Sequence, residues 1–518
     1  MVALRQAYGR RRGDSKMRPL VACSEAAGLD AATAAQAALS PLLLMEDASL
    51  KLWDALRPIA ETRGAGYSGG LVAVCGSGNN GGDALALLRH ARFSGAKRVG
   101  AILAAGCGEL AALHAASLKA LGLPVIEWTA ERKSCLRLLS EASLIVDGIS
   151  GTGLAGPLRD RLSSLLDALR SAVRSSGAAI ASIDLPSGLS DSFEEGFPIV
   201  KAAWTLSVEP RKACLYYPAA RESCGEILPI EGVFPVDASV LARAELLDAG
   251  DLGVLAPLPL DSAYKGERGR VAVFAGCVGS SGAAVLSSRS CLAAGAGLAA
   301  LFASREIYPI VAARLDAVMV KPEPEDGDFD HERWDALLIG PGWGRGPSRL
   351  ETLAALLGTG LPAVLDADAI GLYRILVDSG FSPSSPIILT PHPGEFAALT
   401  GIGSQRSLAN PGSVLPDAAK ALKAVIVFKS HVTWIAAPNG DLAVWDGRES
   451  GLGTAGSGDV LAGLIAGLLA RSEAFSAARA GVIAHGLAGR EARERRGWFE
   501  AGAIIEEAAK ILGRKASM

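Results

Sequence analysis

The chain has 518 residues, half of them hydrophobic but only 5% aromatic, with 61 glycines and a formal net charge of −3. That length exceeds one ordinary hydrophobic core and points to two domains of about 200 to 280 residues each, while the dominance of Ala, Gly, Leu and Val suits sheets layered by helices. The charge argues against a nucleic-acid surface, and no stretch approaches the roughly 20 uncharged apolar residues of a membrane span, the longest candidate, residues 460–470, reading as a buried helix.

Arg5, Arg10, Arg11 and Arg12 give residues 1–16 the charge of a signal's first region without the apolar stretch that must follow. A basic tail, a candidate for disorder, is expected there, with Met17 as an alternative start. The eight cysteines (Cys23, Cys75, Cys107, Cys135, Cys214, Cys224, Cys277 and Cys291) contain no Cys-x-x-Cys pair. Reduced thiols of a cytoplasmic protein are expected, with neither a zinc site nor a disulfide scaffold indicated.

From residue 17 to 235, apolar runs end repeatedly in small polar residues: Leu71 to Cys75, Arg98 to Leu103, Leu144 to Asp147, Ala179 to Asp184 and Trp204 to Val208. Helix-like stretches at Asp83 to His90, Leu110 to Leu121 and Leu158 to Val173 separate them, which predicts a Rossmann-like parallel sheet covered on both faces. Three strings follow these strand ends. Gly76-Ser77-Gly78-Asn79-Asn80-Gly81-Gly82-Asp83 stands between a strand and a helix, its asparagines tolerant of left-handed turns and able to offer side-chain amides. Its glycine spacing is not the usual dinucleotide fingerprint. The others are Val146-Asp147-Gly148, leading to Gly151-Thr152-Gly153-Leu154-Ala155-Gly156, and Asp184-Leu185-Pro186-Ser187-Gly188.

Together the three strings resemble the NAD(P)H-hydrate epimerase family over about residues 20 to 232. The resemblance implies that Asn80, Asp147 and Ser187 hold a potassium ion. It implies further that Asn79, Asn80, Gly81, Gly82 and Asp83, with Gly151, Thr152, Gly153, Leu154, Ala155 and Gly156, cradle the dinucleotide, and that Asp184 is the acid–base residue. A carboxylate at a strand end suits proton transfer at a nicotinamide ring. The chain departs from the family pattern at Asp47 and Ser49, where Asn and Gly are usual, and at Ala84, which replaces a glycine.

Residues 236–262 break into Pro257, Pro259 and several charges and read as a linker. A second alternating series, residues 263–518, runs through Arg270 to Gly276, Ala336 to Gly340, Ala363 to Asp366, Ile387 to Thr390 and Ala424 to Lys429. It closes on Gly451-Leu452-Gly453-Thr454-Ala455-Gly456-Ser457-Gly458-Asp459, a glycine turn running into an apolar helix. Backbone N–H groups at such a turn converge on an anion, and Gly, Ala and Ser let a phosphate approach. Asp459 then sits where a nucleophilic hydroxyl would lose its proton, and as an ordinary carboxylate it is ionised at neutral pH without special tuning.

Taken in order, Lys265-Gly266, Gly282-Ala283, the Gly340 turn, Asp366 with Asp368, Pro391 to Glu395, Lys429 and the Gly456 turn resemble the ribokinase-like family. Among its members they are most similar to the ADP-dependent NAD(P)H-hydrate dehydratases. The resemblance implies Asp459 as catalytic base, and Ala283, Gly342, His392 and Asp459 as substrate contacts. Lys429, Ser430, His431, Val432 and Thr433 would line the nucleotide, and Gly456, Ser457 and Gly458 would hold the transferring phosphate. Asp366, Asp368 and Glu395 are placed to act on Mg²⁺ through water. Cys277 and Ser430 depart from the family's usual serine and glycine.

The expected architecture is therefore two tandem three-layer αβα domains, one that epimerises hydrated NADH and NADPH and one that dehydrates the S form at the expense of ADP. The resemblance implies a homo-oligomer with these small-molecule partners, while charge and the lack of a long apolar stretch argue against nucleic acid and membrane. The rival reading is a small-molecule kinase for a vitamin precursor or sugar, with a non-catalytic N-terminal scaffold.

Overall fold

The computed structural model describes residues 18–26, 28, 33, 39–234, 242–324, 329–346 and 348–514. The expected tail, residues 1–16, lies outside them. Two compact units divide the chain, residues 19–243 forming one and residues 244–514, with Arg18, the other.

In the N-terminal unit seven parallel strands lie in the order Val125–Glu127, Val99–Leu103, Gly70–Cys75, Ala142–Gly148, Ala179–Ile183, Trp204–Val208 and Glu226–Ile230. Strand Gly70–Cys75 is buried throughout. Its Leu71, Ala73 and Cys75 enter one core with Leu52, Trp53 and Leu56, while Val72 and Val74 enter another with Leu165 and Leu169. That is the two-residue alternation of a strand covered on both faces. The chain winds outward from Gly70–Cys75 and then returns to Ala142–Gly148, so the strand order reverses between these two neighbours. Ligand crevices open at such a reversal, outside the carboxyl ends of the strands.

The C-terminal unit repeats the logic with a longer sheet. From one edge, parallel strands Met319–Pro322, Leu298–Ala303, Arg270–Phe274, Ala336–Ile339, Ala363–Leu365, Ile387–Leu389 and Ala424–Phe428 are followed by Thr433–Ala436, Leu442–Trp445 and Ala244–Leu246. Thr433–Ala436 is antiparallel to both of its neighbours. The reversal falls between Arg270–Phe274 and Ala336–Ile339. Phe274 and Phe302 stack at 4.8 Å on one face, while Val271 and Val273 join the main core on the other. Helix Ser457–Leu469 is almost wholly buried and lies backbone to backbone on helix Ser281–Ala293. A Cβ on Gly463 would stand 2.2 Å from the Ser287 carbonyl oxygen, and one on Gly467 would stand 2.5 Å from that of Cys291.

Several local readings shift. The helix expected over residues 158–173 spans Ser163–Ser176, preceded by a 3₁₀ turn at Asp160–Leu162. The helix expected from Asp83 begins at Asn79, so the Asn79–Asp83 string is itself the first turn. The stretch read as a linker carries strand Ala244–Leu246, paired with Leu442–Trp445. Short strands such as Val125–Glu127 and Leu298–Ala303 escaped because three to six apolar residues carry the same pattern in a buried helix.

Gly463→Ala should destabilise the C-terminal unit by about 1–3 kcal/mol through overpacking against Ser287. The readout is a lower denaturant midpoint; an unchanged midpoint would mean the two helices part at no cost.

Candidate active sites

In the N-terminal unit, the loops after strands Gly70–Cys75 and Ala142–Gly148 touch through backbone. A Cβ on Gly76 would lie 1.9 Å from the Ile149 carbonyl oxygen, and one on Gly81 would lie 2.0 Å from that of Gly76. Only glycine permits this crossing. It frames a cavity of about 660 Å³ whose wall includes Asn79, Asn80, Gly81, Asp83, Gly151, Thr152, Gly153, Leu154 and Asp184. Gly82, Ala155 and Gly156 do not line it; Gly82 faces Met45, whose Sδ is 2.7 Å from where its Cβ would be.

Beneath the cavity lies an oxygen-rich cluster. Asp147 is fully buried and accepts hydrogen bonds from Ser187 N (2.9 Å), Ser187 Oγ (2.6 Å) and Ser182 Oγ (2.7 Å). Burial lifts its carboxyl above the ordinary range, and the serine hydrogen bonds counter only part of that. Asn80 Nδ2 donates to Ile183 O at 2.9 Å and Ser150 O at 3.2 Å. A Cβ on Gly151 would fall within 2.6 Å of three Asn80 side-chain atoms. Asn80 and Ser187 share the Ser150 carbonyl oxygen and Ser187 bonds Asp147, so the three residues lie in one cluster.

Asp184 follows strand Ala179–Ile183 at φ 63°, a left-handed conformation costing a non-glycine residue of order 1 kcal/mol. Its Oδ1 accepts from Lys212 Nζ at 2.5 Å, with both side chains under a tenth exposed, and Nζ also donates to Val208 O at 2.8 Å. Lys212 lines the cavity, and sequence reasoning missed it. A lone lysine 28 residues beyond Asp184 carries no spacing signal. The departures from the family pattern lie off the wall: Asp47 pairs with Lys51 outside, Ser49 bonds Met45 O within its own helix, and Ala84 packs under Gly148.

In the C-terminal unit the glycine turn ends with Gly456 at φ 86°, and Asp459 is the third residue of helix Ser457–Leu469. The first-turn amides of a helix lack intrahelical acceptors, so they and the helix dipole favour an anion. Lys429 Nζ donates to Asp366 Oδ1 at 2.8 Å and lies 3.9 Å from Glu395 Oε2. A Cβ on Gly458 would be 3.5 Å from that ammonium. Burial pulls the lysine down, but Asp366 and Glu395 outweigh it and hold Lys429 above its ordinary value. Burial, reinforced by Asp366 and opposed by Lys429, pushes the Asp459 carboxyl up to about 6. Asp459 is therefore tuned, contrary to the expectation of an ordinary carboxylate.

Gly342, at φ 56°, fits against Ala283 and Ser280, its missing Cβ 3.1 Å and 2.6 Å from theirs. His392 caps helix Pro393–Thr400, its Nδ1 accepting from Gly394 N (3.0 Å) and Glu395 N (3.2 Å) while Glu395 accepts from His392 N. Asp368 accepts from Gly344 N at 2.9 Å and Arg345 Nε at 2.8 Å, holding the Gly342 turn. Val432 is wholly buried, whereas Ser430 is part-exposed and His431 exposed. Sequence reasoning also missed His485, whose Nε2 meets Ser457 Oγ at 3.0 Å. Burial pushes it down to about 4, so it is neutral at physiological pH. It is one of six histidines, embedded in an apolar helix without a recognisable motif.

Residues 271–510 match the family model for NAD(P)H-hydrate dehydratase, and residues 42–214 match that for the YjeF-related protein N-terminus. The bifunctional NAD(P)H-hydrate repair enzyme Nnr of Moorella thermoacetica is 30% identical over 501 residues, covering 92% of this chain and 93% of that protein. Its counterpart in Coxiella burnetii is 33% identical over 439 residues (82% and 86% covered), and that of Gloeobacter violaceus 33% over 477 residues (88% and 89%). By identity sustained across both units, the chain belongs to the family of bifunctional NAD(P)H-hydrate repair enzymes.

Proposed function

We propose that the two units perform consecutive steps of nicotinamide nucleotide repair. The N-terminal unit interconverts the R and S forms of hydrated NADH and NADPH, and the C-terminal unit dehydrates the S form with conversion of ADP to AMP and phosphate. The observation that carries the second step is the tuned Asp459 at a helix N-terminus beside Lys429. Relatives matching both units along most of the chain support repair over the rival small-molecule kinase.

Hydroxide is a poor leaving group, and a phosphate ester is a good one. Asp459 takes the proton of the ring hydroxyl as the hydroxyl oxygen bonds to the β-phosphorus of ADP and AMP leaves; loss of phosphate from that carbon, with a proton from the adjacent ring carbon passing to solvent, then restores the ring double bond. The Gly456, Ser457 and Gly458 turn supplies amide donors to the transferring group, a preorganised stabilisation, and His485 fixes the Ser457 hydroxyl. Lys429 balances charge on the phosphates. Asp366 and Glu395 stand beside Lys429 and fit a largely hydrated Mg²⁺ ion. When bound, Mg²⁺ would neutralise phosphate charge.

In the N-terminal unit Asp184 accepts and returns a proton at the hydrated ring, while Lys212 holds its carboxylate on the cavity wall. Asp147, Ser187, the Asn80 amide and the carbonyls of Ser150 and Ile183 offer the oxygen donors that K⁺ needs, in a space kept open by the absent Cβ of Gly151. The ion would supply positive charge at the crevice. No helix among the described residues is long and apolar enough to cross a membrane, and a cytoplasmic homo-oligomer completes the reading.

The test is chemically hydrated NADH, both epimers present, mixed with the protein, Mg²⁺, K⁺ and ADP while reduced-nicotinamide absorbance is followed. Full recovery in two phases is expected; no recovery with ADP or ATP would overturn the repair reading. Asp459→Asn should lower dehydration by about 10²–10⁴-fold. The wild-type rate should fall as pH drops through about 6, where Asp459 protonates. Because its carboxyl is raised on folding, the ionised form destabilises increasingly from about pH 4 to 6 and fully at neutral pH. The asparagine variant's melting temperature at neutral pH should therefore not fall, and a marked drop would assign Asp459 a structural role. Asp184→Asn and Lys212→Gln should remove the slow phase above its spontaneous background while leaving the fast one. Loss of both phases would instead indicate unfolding.

A further inference from the structure

We propose that Cys23, Cys214 and Asp191 form a binding site for one zinc-type divalent cation in the N-terminal unit, apart from the cavity and its oxygen cluster. Three segments distant in the chain meet there. Cys23 follows the first strand, Pro19–Val21, Asp191 lies in the loop after Asp184, and Cys214 belongs to the 3₁₀ turn Ala213–Tyr216. One ligand atom from each lies within 4.8 Å of the other two.

The sulfur spacing suits metal ligation. Cys23 Sγ and Cys214 Sγ are 3.5 Å apart, against roughly 3.8 Å for two thiolates bound to tetrahedral zinc at about 2.3 Å each. A disulfide requires about 2.05 Å. Both cysteines are buried, at 2% and 0% exposure, so the pair is shielded from competing reactions. Asp191 is oriented by hydrogen bonds from Cys23 N at 3.0 Å and Ser24 N at 3.3 Å, the kind of outer contact that fixes a ligating carboxylate. It is partly exposed, on the side from which an ion and a water as fourth ligand would enter.

Two soft thiolates with one carboxylate favour zinc over Mg²⁺ or K⁺, which prefer all-oxygen sets. On binding, two S–H bonds become S–metal bonds and two protons leave to solvent. Cys214 lies two residues after Lys212, and Asp191 seven after Asp184. The ion would clamp the two segments that deliver the Asp184–Lys212 pair.

The full-length protein, stripped with chelator under reducing conditions and re-titrated with Zn²⁺, should retain one equivalent by elemental analysis. Co²⁺ in its place should give thiolate-to-metal absorption. A Cys107→Ser/Cys277→Ser control, lacking the two half-buried thiols, should keep the ion, whereas Cys23→Ser and Cys214→Ser should lose it. Asp191→Asn should weaken binding by at least about tenfold, and it keeps the proposal testable if a cysteine variant misfolds. Zinc absent from the reduced wild type, retained equally by both cysteine variants, or excluded by a Cys23–Cys214 disulfide in the thiol count would each overturn the site. Metal content is read independently of epimerisation, so failure of that activity leaves this result interpretable.

Discussion

Backbone pressed against backbone at the carboxyl ends of the central strands is the constraint on which both units depend. Gly76 on Ile149, Gly81 on Gly76, and Gly340 on Asp366 each leave less than 2.1 Å for a Cβ. The crossings occur at the loops that follow strands flanking the sheet reversals, where the strands' carboxyl ends diverge and a crevice opens. Removing side chains there lets a helix start, with its unpaired amides, stand at the crevice edge. The same device acts deeper in the C-terminal unit, where Gly463 and Gly467 let helix Ser457–Leu469 lie directly on helix Ser281–Ala293 and so set the height of Asp459.

On these frames the charges are arranged alike. Each unit buries a lysine against a strand-end carboxylate, Lys212 on Asp184 and Lys429 on Asp366. A buried pair of this kind contributes little net stability, since desolvation offsets attraction, but losing one partner strands the other charge. In the C-terminal unit burial lifts the Asp459 carboxyl, and neighbouring Asp366 adds to the rise more than Lys429 takes away.

Motifs whose meaning is local were legible in the sequence. The strings after residues 75, 147 and 184 combine an apolar run with small and polar residues, the first of them and the turn before Asp459 run straight into a helix, and the strand-helix alternation follows from periodicity. The oxygen cluster of Asn80, Asp147 and Ser187 was anticipated only through family resemblance, and the fold assembles it. The sequence did not show that the residue between Asp366 and Asp368 turns through φ 47° or that Asp368 accepts from the Gly344 amide.

The sequence by itself determined two α/β units, the glycine turns and the carboxylates at strand ends, because each of these is written in neighbouring residues. Only the tertiary structure decided that Lys212 meets Asp184, that His485 anchors Ser457, that Asp459 is raised toward neutrality, and that Cys23 and Cys214 stand 3.5 Å apart. Those facts depend on the order in which strands pair and on how much water the packing removes. Neither strand order nor desolvation is encoded at any fixed spacing along a chain.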